Sequence, residues 1–308
     1  MTIESFIEQT LEMADDYEGR VVATLIRSAK NIDGRKAVLY IHGYNDYFFH
    51  AHLADKFHEQ DYNFYALDLR KHGRSILPHQ HQNYCRSLRE YFEEINVALD
   101  IIHTENGEKI TLLGHSTGGL ISSYYMNKGK NRSLVDALVL NAPFLEFNLT
   151  TWQKYVIVPL SGLLSLFNPY AFKKKPFAHL YGSSISKKHK GEWEYNEEWK
   201  PIGGFPAYLK WVYAVYLAQR FLRKSSEIKV PILILHSDKS SRLKKWDDVI
   251  FESDMVLNVE HIKKYGRVLG EEVEFIEVKG GIHDIFLSSE LVRNSAIKRM
   301  FAWFCSKN

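Results

Sequence analysis

A doubly wound, mostly parallel α/β sheet with helices on both faces is the fold class this sequence predicts. Three observations predict it. Short continuous apolar runs, among them Ala37–Ile41, Ile110–Leu113, Ala137–Leu140 and Val230–Leu235, have the length and composition of strands covered on both faces. Segments of helical spacing alternate with them; in Tyr84–Glu105 the residues Leu88, Tyr91, Phe92, Ile95, Ala98, Leu99 and Ile102 fall on one stripe. That alternation, at this spacing, is the pattern of crossover units in a parallel sheet. The 308 residues suit one large domain, or one domain with a sizeable insertion, and 45% hydrophobic content supplies a full core.

Taken in order, residues 3–14 place Ile3, Phe6, Ile7, Thr10 and Leu11 at helical spacing and read as a short amphipathic helix. Val21–Arg27 reads as a strand, with a polar turn at Asp33-Gly34 before the run Ala37–Ile41. That run ends in His42-Gly43-Tyr44-Asn45, where a glycine directly after a central strand lets the backbone turn an N–H into a cleft. A helix over His52–Gln60 and a strand over Asn63–Leu67 lead to Asp68–Ser75, where a carboxylate, two arginines and a histidine share one turn. We read that turn as an ion-pair and hydrogen-bond network supporting the neighbouring loops, because Arg cannot serve as a base at neutral pH. Gly107 closes the long helix, and Ile110–Leu113 delivers the chain to Gly114-His115-Ser116-Thr117-Gly118, followed by helix-like Leu120–Met126.

The rhythm breaks after Asn141-Ala142-Pro143. From Phe144 to Leu222 no strand–helix alternation is visible, and aromatic residues accumulate, from Trp152 and Tyr155 through Phe177 and Trp193 to Trp211 and Tyr216. The expected organisation is a core of residues 1–143 and 223–308, with residues 144–222 inserted over the C-terminal edge of the sheet. An aromatic roof at that edge favours apolar substrates. The clusters Lys173-Lys174-Lys175 and Lys187-Lys188-His189-Lys190 read as a solvated face, with transient contact to a lipid surface as the functional alternative. After the insertion come the strand ending in His236-Ser237-Asp238, a polar stretch to Ser253, and Asp254-Met255-Val256-Leu257. A helix over Val259–Leu269, a strand over Glu272–Val278, the loop Gly280-Gly281-Ile282-His283-Asp284 and a closing helix over Ser289–Cys305 complete the chain.

Composition narrows the function classes. A net charge of +3 argues against nucleic acid as the main partner. With Cys85 and Cys305 as the only cysteines, a disulfide framework is excluded. The acidic N-terminus (Glu4, Glu8, Glu12, Asp15, Asp16, Glu18) is the opposite of a signal peptide, and the apolar stretch Val156–Phe167 is broken by Pro159 and Gly162 and too short to span a bilayer. The expectation is a cytoplasmic protein with no integral membrane segment. His50 and His52 form an H-x-H pair without a Cys, Asp or Glu at ligand spacing, so no metal site is expected there; no organic cofactor is implied.

The chemistry converges on Ser116. A serine on a glycine-flanked turn between a strand and a helix has its hydroxyl held up at the sheet edge, above a helix N-terminus. Such a hydroxyl is a poor nucleophile unless a base oriented by a third group lies within reach. His283, on the loop after the last strand, is the candidate base at the same edge. Two carboxylates compete as its partner: Asp238, directly after its strand, and Asp254, just before the helix leading into the last strand; Asp254 is preferred. An oxyanion hole then takes the N–H of Thr117, after the nucleophile, and that of Tyr44, in the loop after Ile41.

Together, His42-Gly43, Asp68-x-Arg70-x-His72-Gly73-x-Ser75, Gly114-His115-Ser116-x-Gly118-Gly119 and Gly281-x-His283-Asp284 resemble the α/β-hydrolase fold. The branch most resembled is that of the monoacylglycerol lipases, lysophospholipases and serine aminopeptidase-like hydrolases. The resemblance implies that the aromatic insertion is a lid and that Asp254-Met255-Val256-Leu257 is the loop carrying the catalytic acid. Lys71 stands where that family has a glycine, and the stretch between Ser237 and Asp254 is longer than the family's. The expected activity is a serine hydrolase cleaving carboxylic esters with an apolar acyl group, through an acyl-enzyme on Ser116. An aminopeptidase would use an acidic group such as Glu192, Glu194, Glu197 or Glu198 to hold an α-ammonium. A non-catalytic binding protein using the same pocket is the third reading.

Overall fold

Eight strands form one sheet, in the spatial order Phe6–Asp16 (β1), Gly19–Ser28 (β2), Asn63–Asp68 (β4), Ala37–Ile41 (β3), Ile110–His115 (β5), Val135–Asn141 (β6), Ile232–Ser237 (β9) and Val273–Val278 (β10). The computed structural model describes residues 5–173 and 178–307. The central strands β3 (Ala37–Ile41), β4 (Asn63–Asp68), β5 (Ile110–His115), β6 (Val135–Asn141), β9 (Ile232–Ser237) and β10 (Val273–Val278) all run parallel. Strand β2 (Gly19–Ser28) pairs antiparallel with β4 on one side and with the edge strand β1 (Phe6–Asp16) on the other.

The alternation of side chains along each strand builds a core on both faces. In β3, Leu39 and Ile41 enter one apolar cluster while Val38 and Tyr40 enter the other. The first face is covered by α2 (Phe92–Asn106), α3 (Thr117–Lys128) and α7 (Val259–Gly266) through Ile95, Leu99, Leu120 and Ile262. The second is covered by α1 (Ala51–His58) and the C-terminal α8 (Glu290–Lys307) through Leu53, Phe57, Met300 and Phe304. The three-layer, doubly wound architecture expected from sequence is therefore observed.

The N-terminal segment corrects the expected helix over residues 3–14: Phe6–Asp16 is a strand. Its buried positions are Leu11 and Met13, two apart, and its backbone is satisfied by β2, with Leu11 opposite Ala23 and Met13 opposite Val21. Cross-strand pairing outweighs the weak helical spacing of its apolar residues.

Between β6 and β9, the turn Gln153–Ile157 runs into α4 (Val158–Leu164), followed by the short strand β7 (Phe172–Lys173), helix α5 (Ala178–Ile185), the short strand β8 (Ala207–Tyr208) and helix α6 (Leu209–Ser225). Strands β7 and β8 pair with each other away from the main sheet. Helix α6 returns the chain to the core, burying Trp211, Val215, Ala218 and Leu222 in the cluster shared with α2 and α3. Lys174, Lys175 and Phe177 of the sequence reading lie outside the described residues. Among the described residues, no helix is long and apolar enough to cross a membrane.

Because β3, β5, β6, β9 and β10 are parallel, the loops that leave them emerge at one edge of the sheet.

Candidate active site

Ser116 sits between β5 and α3 with φ 53° and ψ −115°, a conformation that non-glycine residues rarely adopt. The turn is possible because its flanks have no side chains. A Cβ on Gly114 would lie 2.6 Å from the Gly118 carbonyl oxygen, and one on Gly118 would run into the carbonyls of Ile41 and His42. Helix α3 can therefore start directly under β3, with the Ser116 N–H donating to the Asn141 carbonyl at 2.9 Å.

The Ser116 hydroxyl donates to His283 Nε2 at 2.9 Å, and His283 Nδ1–H donates to Asp254 Oδ2 at 2.9 Å. A carboxylate can only accept, so the proton on the ring sits on Nδ1 and Nε2 faces the serine as an acceptor. The second Asp254 oxygen accepts the N–H groups of Val256 (2.8 Å) and Leu257 (2.7 Å). All three side chains are buried, Ser116 at 8% exposure, His283 at 3% and Asp254 at 0%. Ser116, His283 and Asp254, separated by up to 167 positions in the chain, are thus brought together. Asp238 is not among them; it accepts the Gly280 N–H at 2.9 Å and braces the loop carrying His283.

The long stretch between Ser237 and Asp254 does not displace the carboxylate. The Asp254 N–H donates to the Lys239 carbonyl at 3.0 Å, the Ser241 N–H returns to the Asp254 carbonyl at 2.9 Å, and the Val259 N–H is held by Ser240 Oγ at 2.8 Å. The additional residues form a loop closed at its neck, and Asp254 stands at the neck.

Thr117 opens α3, so its N–H lies in the first turn, where no intrahelical acceptor exists. The loop after β3 passes close beside the serine: a Cβ on Gly43 would come within 3.2 Å of Ser116 Cβ, and Tyr44 is the next residue. The Tyr44 ring packs 4.2 Å from that of Trp211 in α6.

A second set of buried polar groups, only partly legible in sequence, lies behind His283. Asp284 accepts from His50 Nε2 at 2.8 Å and from Asn141 Nδ2 at 2.7 Å. Burial opposes its charge, yet the imidazoles of His115 and His50 and the Asn141 amide hold its carboxyl well below the usual carboxylate range. His115, its ring 5.0 Å from that of His283, is pushed down to about 4 by burial. Asp46 pairs with Lys200 at 2.6 Å; burial raises its pKa, but the Lys200 ammonium and the imidazoles of His50, His115 and His42 together outweigh that and lower it. Asp46, His115 and Asp284 place ligand-type atoms within 4.8 Å of one another. Each already has a protein partner: Lys200, the Asn141 carbonyl and His50 respectively. From α5, Tyr181 packs its ring against that of His283, centroids 5.7 Å apart and nearly perpendicular, and its hydroxyl accepts the Asp284 N–H at 3.2 Å.

The Asp68–Ser75 turn is the network expected from sequence. Arg74 bonds Asp68 at 2.9 Å, and Arg70 bonds Glu94 and Glu93 at 2.7 Å each. His42 Nε2 accepts the Leu69 N–H at 3.0 Å, tying this turn to the loop beside Ser116. Lys71 is fully buried with φ 63°, its ammonium 2.7 Å from Asp16 and 2.6 Å from Glu18. Of the four glutamates of the aminopeptidase reading, Glu194 pairs with Lys187, Glu197 accepts from Ser186, Glu192 lies 3.9 Å from Arg293, and Glu198 is exposed.

Comparison with known proteins adds the following. The family model described as serine aminopeptidase S33 (Hydrolase_4) matches residues 33–290. A monoacylglycerol lipase from Mycolicibacterium smegmatis is 26% identical over 266 residues, 84% of each chain. Among solved structures, a soluble variant of the Saccharomyces cerevisiae monoglyceride lipase in complex with a substrate analogue superposes with a TM-score of 0.73 at 16% identity. That match covers 98% of this chain and 96% of the other. A thermostable carboxyl esterase from Bacillus coagulans in complex with glycerol gives a TM-score of 0.69 at 13% identity, over 97% and 98% of the two chains. These structural likenesses identify the fold.

Proposed function

Because the chain belongs to the serine aminopeptidase S33 family of hydrolases, we propose that it hydrolyses carboxylic esters with an apolar acyl group through an acyl-enzyme on Ser116. The observation that carries this reading is the unbroken relay from Ser116 Oγ through His283 to Asp254. In the proposed mechanism His283 Nε2 takes the hydroxyl proton as Ser116 Oγ attacks the ester carbonyl. Asp254 holds the imidazole in the required tautomer and stabilises the imidazolium that forms. The negative charge developing on the carbonyl oxygen is met by the N–H groups of Tyr44 and Thr117. Collapse of the tetrahedral intermediate expels the alcohol, which receives the proton from His283. A water, deprotonated by the same histidine, then attacks the acyl-enzyme and releases the acid.

Two further observations support an apolar ester. The relative from Mycolicibacterium smegmatis bears the name monoacylglycerol lipase. The insertion, which we read as a lid, presents an unusual surface: Trp152, Tyr155, Leu160, Leu163, Leu166 and Phe167 are all exposed, Phe167 at 85%. Helix α4 buries Val158, Ser161 and Gly162 against α6 and turns its larger apolar side chains outward. An exposed apolar face of this extent fits transient contact with a lipid surface that delivers the substrate.

The test is labelling with a fluorophosphonate probe, which modifies only an activated serine, followed by peptide mapping. Labelling at Ser116, with turnover of p-nitrophenyl esters and none of aminoacyl anilides, is the expected result. A protein that resists the probe is no serine hydrolase, and preferential turnover of the anilides would establish the aminopeptidase reading instead.

A further inference from the structure

Four consecutive side chains, Tyr44 to Tyr47, leave the loop after β3 and end on one stretch of the insertion, residues 196–206. The Tyr44 hydroxyl donates to the Pro206 carbonyl at 2.5 Å. Asn45, held at φ 53°, donates to the Pro201 carbonyl at 3.2 Å and accepts the Phe205 N–H at 3.0 Å. The Tyr47 hydroxyl accepts the Asn196 N–H at 2.7 Å. Between them lies the charged contact, the Lys200 ammonium 2.6 Å from Asp46 Oδ1, with 8% and 2% of the two residues exposed.

The other Asp46 oxygen faces the Gly43 N–H at 3.4 Å. A continuous chain of contacts therefore runs from Lys200 through Asp46 to Gly43, whose backbone lies against Ser116 and whose next neighbour is Tyr44. A buried ion pair is a poor source of net stability, because desolvation cancels most of its attraction. It does impose a strict geometry, since neither charge tolerates separation from the other at low dielectric. Neutral tethers at Tyr44, Asn45 and Tyr47 already attach the loop to the insertion. The charged pair acts on Asp46, whose side chain also faces the Gly43 N–H.

We propose that Lys200 is a positioning residue: through its buried ion pair with Asp46 it sets the turn that presents the Tyr44 N–H to the oxyanion. On this account residues 196–206 of the insertion are part of the transition-state geometry as well as a cover over it. The proposal rests on the serine-esterase reading given above.

The test uses the full chain and three variants: Lys200→Met, Lys200→Arg, and the double variant Asp46→Asn with Lys200→Met. Three measurements are made on each: p-nitrophenyl ester kinetics, inhibition by an alkyl trifluoromethyl ketone, and binding of the matching alkyl alcohol. The ketone adds to the serine and places a negative oxygen in the hole; the alcohol fills the acyl site without one. For Lys200→Met the expected result is a fall in kcat of between about tenfold and about hundredfold, the scale of a displaced catalytic group. KM and alcohol affinity stay near wild type, ketone affinity drops by the same factor as kcat, and Lys200→Arg recovers most of both. The double variant leaves no lone buried charge, so it folds even where the single variant does not, and it shows the same losses. A folded Lys200→Met or double variant with wild-type kcat and ketone affinity overturns the proposal. So does a loss in which alcohol affinity falls in step with ketone affinity. A wild-type chain that neither turns over the ester nor binds the ketone overturns the esterase reading itself, a result distinct from either.

Discussion

Replacing Asp254 by Asn changes one atom and reverses the relay. In the wild type, Oδ1 takes the N–H groups of Val256 and Leu257, and Oδ2 takes the proton on His283 Nδ1. An Asn has one oxygen, and the two backbone donors claim it, so its NH2 faces Nδ1. Two donors cannot face each other at 2.9 Å, and the imidazole relieves the clash by moving its proton to Nε2. The nitrogen that must accept the Ser116 proton is then already protonated. The wrong tautomer costs about 10⁴-fold in kcat in a serine protease, equivalent to about 5 kcal/mol on the barrier, and we expect a loss of that order here. Shape and the two backbone bonds are kept, so the melting temperature should stay close to wild type. Asp238→Asn is the control: its role is to accept the Gly280 N–H, which an amide oxygen also does, and less than about a tenfold loss is expected. Initial rates on a p-nitrophenyl ester, with melting curves on the same preparations, decide the matter. An Asp254→Asn protein that melts normally and keeps kcat within about tenfold of wild type refutes the assignment, as does a larger loss in Asp238→Asn.

Three other perturbations have definite expected outcomes. Phe167→Glu and Leu163→Asp place charges on the exposed apolar face. A large apolar side chain is worth about 2 kcal/mol on burial, so turnover of a vesicle-borne ester should fall at least about tenfold while a dissolved short-chain ester is unaffected; equal losses on both would exclude a lipid-contact role. His72 is buried, its Nδ1 bonded to the Arg70 carbonyl at 2.8 Å, and burial with His42 alongside pushes its pKa from 6.5 down to about 3. The stability this neutral imidazole contributes is complete above pH 6.5 and is lost as the pH falls toward 3, because only the unfolded chain takes up the proton. His72→Gln should therefore flatten the dependence of unfolding free energy on pH between 6.5 and 4 by about 1.4 kcal/mol per pH unit, measured by urea titration; an unchanged slope would contradict the buried neutral state. Lys71→Met leaves Asp16 and Glu18 without the ammonium they share, and a loss of about 3–5 kcal/mol is expected in the same titration. A loss below about 1 kcal/mol would mean that the pair is relieved by solvent.

What could be read from the sequence depended on how local its cause is. Strands β3, β5, β6 and β9 were legible because burial on both faces leaves uninterrupted apolar runs. Ser116 was conspicuous because its turn demands glycines on either side, and His283 because a glycine pair precedes it after the last strand. The edge strand β1 was misread as a helix because most of its side chains face solvent, leaving Leu11 and Met13 as a two-residue signal, while its conformation is decided by β2. The long polar stretch before Asp254 obscured how the acid loop is held, since nothing local announces that Lys239 and Ser241 close its neck. The contacts of Asp284 with His50 and Asn141 span 234 and 143 positions, and that of Lys200 with Asp46 spans 154. Such pairs are created by topology, and a single sequence carries no trace of which Lys meets which Asp.

The conformation of Ser116 has a consequence for how this protein can change. At φ 53° and ψ −115° the position suits glycine better than any residue with a Cβ. The fold and the chemistry therefore want different residues at this one place. A collection of variants sorted only for resistance to heat would drift toward glycine at position 116 and lose the hydroxyl, whereas one sorted for turnover would keep the serine and tolerate the tension. Efforts to harden this protein should hold position 116 constant and look for gains elsewhere, because the easiest local improvement is also the one that removes the proposed nucleophile.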